Sequence, residues 1–184
     1  MDSVNTGIYA SFSLAFDSSG TPCIAYYDSA NTQAKFAYHD GSSWVTSLIE
    51  SSSYHGQHIS LAIASDGSIH VSYYNGYDAE LKYAYAPDYT SAFTITEVDS
   101  FLITGFDTAI TVDGSDQPHI AYLNWTTSTI YYSYYDGSSW QTLSAPASIG
   151  AANDTGLSIG IDASSYPHIG YVDGTGSAQI IYRP

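Results

Sequence analysis

Eight residues form a set able to hold a polar ligand: Tyr9, His55, His58, Phe106, Asp107 and Asp154, together with Tyr77 and Trp125. Aromatic faces stack on the C–H side of a sugar ring, and carboxylates and imidazoles bond its hydroxyls. Asp107 and Asp154 could also approach one another as a glycosidase pair, which requires two acids facing across a pocket. No other catalytic pattern accompanies them. The chain has no G-x-S-x-G elbow, no phosphate-binding glycine loop and no EF-hand spacing.

What positions these residues is a repeat. Ser13–Asp28, Ser60–Asn75, Ala109–Asn124 and Ser158–Asp173 superpose, with starts 47, 49 and 49 residues apart. A second block follows each of the first three copies: AKFAYHDGSSW from Ala34, ELKYAYAPDYTSAF from Glu80 and TIYYSYYDGSSW from Thr129. The fourth copy continues only as AQIIYRP. Within each unit, apolar residues alternate with small ones, as in Leu14/Phe16 against Ala15 and Leu61/Ile63 against Ala62. That period of two predicts strands. Pro22, Pro118 and Pro167 open the second strand of their copies, where proline is tolerated. Each unit therefore reads as a four-stranded antiparallel meander, and four such units predict an all-β β-propeller with an incomplete last blade. The blades run over about 7–52, 53–102, 103–150 and 151–184, in one domain of 184 residues. The eight candidate residues then fall in the segments that lead into the first strand or join the second and third. Those segments vary between copies while the strands do not, as expected of functional loops on a scaffold.

The repeat also assigns ordinary roles to groups that look like chemistry. Cys23, His70, His119 and His168 are zinc-ligand types at one repeat position. Positions related by the repeat on the second strand stand too far apart to share one ion, so hydrogen bonding within or between blades is expected of them. Asp17, Asp113 and Asp162 begin turns, where a carboxylate caps backbone amides. Tyr26, Tyr73, Tyr122 and Tyr171 recur in all four copies and read as core between blades. Trp125 has no counterpart in the other copies; it reads either as a ligand contact or as a ring folded over its own blade.

Composition limits the partners. Three Lys+Arg stand against 18 Asp+Glu, giving a formal net charge of −15. Lys35, Lys82 and Arg183 build no basic patch, so neither nucleic acid nor an anionic membrane surface is an expected partner. The longest apolar runs are four or five residues, too short for a membrane span. No charged-then-apolar leader opens the chain, and a lone cysteine makes no disulfide framework; neither observation assigns a compartment.

The blocks resemble a β-propeller repeat type of many uncharacterised bacterial proteins, whose pattern is similar to S-L-A-x-D-x-x-G-x-P-H-I-A-Y-Y-D, then L-K-Y-A, then D-G-x-x-W. The resemblance covers essentially the whole chain and implies fold, not function. The expectations that follow are a non-catalytic, lectin-like module for a neutral glycan on the loop face; alternatively a protein-interaction scaffold; and third a hydrolase or lyase with an axial site. Repeat-equivalent pockets would favour the first. No cofactor is expected, although Asp107 or Asp154 near the axis would suit a hard cation such as calcium. Ring closure has two solutions: a self-closed four-bladed ring, which is the favoured one, or half of an eight-bladed dimer joined through open edge strands.

Overall fold

The computed structural model describes residues 11–51, 55–148 and 156–182. Every element is a β-strand. β1 (Phe12–Phe16), β2 (Pro22–Asp28), β3 (Gln33–His39) and β4 (Trp44–Glu50) form the first blade. β5 (His55–Ile63), β6 (Ile69–Asn75), β7 (Glu80–Ala86) and β8 (Thr94–Asp99) form the second. The third comprises β9 (Thr104–Val112), β10 (Pro118–Asn124), β11 (Thr129–Tyr135) and β12 (Trp140–Ser148). The fourth has three strands, β13 (Ser158–Ile161), β14 (Pro167–Val172) and β15 (Ala178–Tyr182). Each sheet is an antiparallel meander in chain order. Among the described residues, no helix is long and apolar enough to cross a membrane.

The turns follow the repeat chemistry. Between the first two strands of each blade one residue is left-handed: Gly20 (φ 85°), Gly67 (88°), Asp116 (59°) and Ser165 (64°). Glycine takes this conformation without a steric penalty, and Asp tolerates it. A carboxylate caps every one of these turns, Asp66 accepting the Ser68 N–H in the second blade. Asp17, Asp113 and Asp162 each accept two backbone N–H groups, from Ser19 and Thr21, Ser115 and Gln117, and Ser164 and Tyr166.

Blades stack face to face. Ala25 and Phe36 of blade 1 pack with Leu61, Val71 and Tyr73 of blade 2. Leu81 and Tyr83 meet Ile110, Ile120 and Tyr122 across the next boundary, and Leu123 and Ile130 meet Ile169 across the last. Fully burying a side chain such as Val71 or Ile120 contributes about 1.5–3 kcal/mol. Polar ties repeat as well. The Leu61 N–H donates to Ser13 Oγ (3.1 Å), and the Ile110 N–H to Ser60 Oγ at the equivalent place (3.2 Å). Two glycines permit the close approach. A Cβ on Gly56 would lie 2.9 Å from the Ala34 Cβ, and one on Gly105 2.9 Å from the Leu81 Cα.

The four blades form an open arc, which differs from the favoured self-closed ring. Leu61 and Ile110 are 6% and 7% exposed under the preceding blade, whereas the equivalent Leu14 is 55% exposed. At the far end Phe36 and Tyr132 are buried, whereas the equivalent Ile180 is 77% exposed. Among the described residues, β13 packs on β9 and β10, and no comparable packing joins blade 4 to blade 1. Closure depends on the angle between blades, which strand patterning does not encode.

Candidate functional site

In a meander, the turns joining strands one to two and three to four share one end of the blade. At that end, each pair of successive blades leaves a cleft. The cleft between blades 1 and 2 measures about 540 Å³, that between blades 2 and 3 about 670 Å³, and that between blades 3 and 4 about 680 Å³. These volumes suit a small ligand. The three are related by the repeat but filled differently.

The first cleft is plugged. Tyr89, from the β7–β8 connection, stacks on Tyr38 at 4.5 Å and donates its hydroxyl to Asp17 Oδ2 (2.7 Å). Cys23 Sγ approaches the same hydroxyl at 3.6 Å. Burial pushes this thiol up, away from thiolate chemistry. In the second cleft, Trp140 packs edge-on against Tyr83 (5.0 Å), and His70 bridges Ser68 Oγ (2.9 Å) and the Tyr83 hydroxyl (2.8 Å). Burial lowers the His70 pKa to about 4, so the ring is neutral. Asp116 ties the two blades by accepting the Ser65 N–H (2.8 Å) and hydroxyl (3.0 Å).

The third cleft carries the least committed polar group. His119, Tyr132 and Tyr134 stack with interplanar angles of 16–22°, giving a flat aromatic wall opposite Tyr166 and Pro167 of blade 4. His119 Nδ1 bonds the Tyr132 hydroxyl (2.5 Å). His119 Nε2 is buried with no hydrogen-bond partner, and Asp113 Oδ2 stands 3.6 Å away. The contrast with His70 has a sequence cause: the place of Ser68 is taken by Gln117, whose side-chain amide turns to the Ser115 carbonyl instead. Burial lowers the His119 pKa against the opposing pull of Asp113, and the ring is neutral. Nε2 itself is buried, with the Asp113 carboxylate as its ion-pair neighbour.

Three carboxylates at these clefts are lowered below their ordinary pKa by hydrogen bonds. Burial pushes the Asp113 carboxyl up, but the Gln117 and Ser115 amides and His119 outweigh it, and the net shift is downward. Hydrogen bonds from Ser138 and the Ser139 amide bring Asp136 down to about 2. The Ser68 hydroxyl and amide lower Asp66. A carboxyl lowered in this way is mismatched to the protonated acid that glycoside cleavage uses. No Lys or Arg lines any of the three clefts. Bound anions would meet ionised aspartates there, so the clefts disfavour anionic ligands.

Of the residues singled out from sequence, the described ones lie toward the opposite end of the blades. His58, Phe106 and Trp125 do come together: Phe106 lies 4.8 Å from His58 and 5.1 Å from Trp125, with Tyr74 at 4.5 Å. Trp125 is folded over Phe106 of its own blade, and its backbone N–H donates to the Ile103 carbonyl. Tyr77 is exposed in the β6–β7 turn. His58 and Asp107 occupy equivalent left-handed bulges (φ 51° and 50°) in β5 and β9. Asp107 Oδ2 lies 3.5 Å from the Leu157 N–H, a tie between blades 3 and 4. His55 opens β5. Tyr9 and Asp154 lie outside the described residues. Cys23 and the histidines at its repeat position bond separately: Cys23 to Tyr89, His70 to Ser68 and Tyr83, His119 to Tyr132, and His168 to Asp162. Among the described residues no three His, Cys, Asp or Glu side chains cluster to hold a metal ion. From sequence His119 reads as a hydrogen-bonding group within or between blades, and Tyr134 is not singled out; the one clue to His119 is the loss of its neighbouring serine.

No family model matches the chain, and no curated protein matches it. Solved structures do. A variant of AofleA from Arthrobotrys oligospora superposes with a TM-score of 0.73 at 12% identity, over 96% of this chain and 54% of that one. The Aleuria aurantia lectin, solved with α-methyl-L-fucoside, gives 0.67 at 12% identity over 94% and 56%. An α-L-arabinofuranosidase from Clostridium thermocellum gives 0.57 at 14% over 97% and 69%. The chain thus spans little more than half the length of the first two. At these identities the likeness is one of fold, and with the four stacked meanders it identifies the architecture as a β-propeller.

Proposed function

We propose that the protein is a non-catalytic binding module for neutral carbohydrate, with its sites in the repeat-related clefts between blades. The observation that carries this is the cleft between blades 3 and 4. A flat wall of His119, Tyr132 and Tyr134 stands beside His119 Nε2, which is buried 3.6 Å from Asp113 Oδ2 without a full hydrogen bond, and beside carboxylates held ionised by amide donors. A pyranose offers an apolar face for the wall and a hydroxyl for Nε2. Binding a hydroxyl there satisfies a group that is otherwise costly to bury. That the Aleuria lectin shares the fold and was solved with a fucoside supports the reading and makes α-methyl-L-fucoside the first probe. The repeats themselves belong, on this reading, to the bacterial S-L-A-x-D-x-x-G-x-P-H-I-A-Y-Y-D type.

The test is binding to an array of neutral glycans. Tyr134→Ala removes part of the wall and is expected to abolish the signal. His119→Phe keeps an aromatic ring but deletes Nε2, and should weaken binding about tenfold, the equivalent of one hydrogen bond of about 1–1.5 kcal/mol. Trp125→Ala should leave binding intact. Loss of binding in Trp125→Ala with full binding by both cleft variants would contradict the assignment.

A further inference from the structure

We infer that two copies of this chain associate head to tail, the leading face of blade 1 docking on the trailing face of blade 4 of the second copy. The two faces are the unpaired halves of an interface that the chain already makes three times. On the leading side, Phe12, Leu14 and Phe16 occupy the places of Ile59, Leu61 and Ile63 and of Thr108, Ile110 and Val112. In blades 2 and 3 those places lie against the preceding blade, where Ile59, Leu61, Thr108 and Ile110 are buried; in blade 1 all three side chains are exposed. On the trailing side, Ile180 takes the place of Phe36, Tyr83 and Tyr132, each buried under the following blade, yet it faces solvent.

The polar tie is complementary too. Ser13 and Ser60 accept N–H groups from Leu61 and Ile110 of the next blade. Ser158 is the equivalent of Ser13 and Ser60, and Leu14 of Leu61 and Ile110. Leu14 pairs with Ile24 in a register where Tyr27 donates to the Ser11 carbonyl, so strand alternation turns the Leu14 N–H away from β2. A second copy seated as blade 2 sits on blade 1 therefore brings the Leu14 N–H to Ser158 Oγ. Four exposed apolar side chains and one hydrogen-bond pair are satisfied by a geometry already built into the fold. The contact is heterologous, joining different patches on the two copies, and such contacts close into a ring when the rotation permits. Two four-bladed arcs make eight blades, and each junction places the His168–Asp162 pair opposite the turn that Asp17 holds in the second copy.

The test is molar mass by light scattering on the full chain. Wild type is expected at twice the 19.8 kDa chain mass. Leu14→Asp and Ile180→Asp are each expected at the single-chain mass, with far-UV circular dichroism unchanged because both side chains are already exposed. An equimolar mixture of the two variants should recover the two-chain mass, because one junction then combines two native faces. A single-chain mass for wild type overturns the proposal. So does a two-chain mass that survives either substitution, which would mean that the copies meet through another surface.

Discussion

The Tyr122 hydroxyl donates to Asp99 Oδ2 at 2.7 Å across the boundary between blades 2 and 3, and Tyr73 does the same to Glu50 at 2.5 Å one blade earlier. Both tyrosines are fully buried, and burial together with the facing carboxylate pushes each phenol well above its usual range. The bonds are a repeated latch: a core ring from the second strand of one blade reaches the outer strand of the blade before it. Tyr122→Phe should destabilise the fold by about 1.5–3 kcal/mol, the value of a hydrogen bond to a charged group. Urea unfolding checks this, with a lower midpoint and an unchanged slope.

Gly105 tests the close approach of the blades. Its φ is +92°, and an added Cβ would meet the Leu81 Cα at 2.9 Å and the Glu80 carbonyl oxygen at 3.2 Å, both backbone atoms. Gly105→Ala is expected to cost about 1–3 kcal/mol from overpacking and strain. Gly67→Ala shares the backbone strain (φ +88°) but meets nothing within 4 Å, so it should cost less. Equal losses in thermal denaturation would show that packing between blades plays no part.

The Asp17–Tyr89 bond predicts a pH dependence with a definite sign. The Tyr89 hydroxyl, followed by Ser19 and the Thr21 amide, holds the Asp17 carboxyl far below its ordinary 3.8. A lowered carboxyl contributes stability that is fully present above its unfolded pKa and is lost as pH falls through the lower folded value. The destabilisation caused by Tyr89→Phe should therefore be constant from pH 7 to about pH 5 and shrink in stronger acid. Melting temperatures of the two proteins across that range measure it. A difference that grows on acidification would refute the assignment.

The blades were legible because repeat and turn chemistry are local. Gly20, Gly67 and Asp116 mark the left-handed turn position, and proline opens β2, β10 and β14 as expected. The open arc stood in the sequence only as the second closure solution, since Leu14 and Phe16 alternate in the same way as Leu61 and Ile63; only their neighbours decide. The clefts were obscured for a related reason. His119 and Tyr132 recur in equivalent form as His70 and Tyr83, so they read as scaffold. Replacement of Ser68 by Gln117 leaves the buried Nε2 without the hydroxyl partner that His70 has, but that consequence depends on where the glutamine side chain turns. Trp125 attracted attention by being unrepeated, yet it is folded onto Phe106.

The most direct test of carbohydrate binding between the blades is a crystal structure with a neutral methyl glycoside, beginning with α-methyl-L-fucoside. The account predicts a pyranose lying flat against Tyr134 in the cleft between blades 3 and 4, with a hydroxyl within hydrogen-bond distance of His119 Nε2. A sugar seated on Trp125 and Phe106 at the opposite end of the blades, with the cleft empty at saturating glycoside, would contradict it.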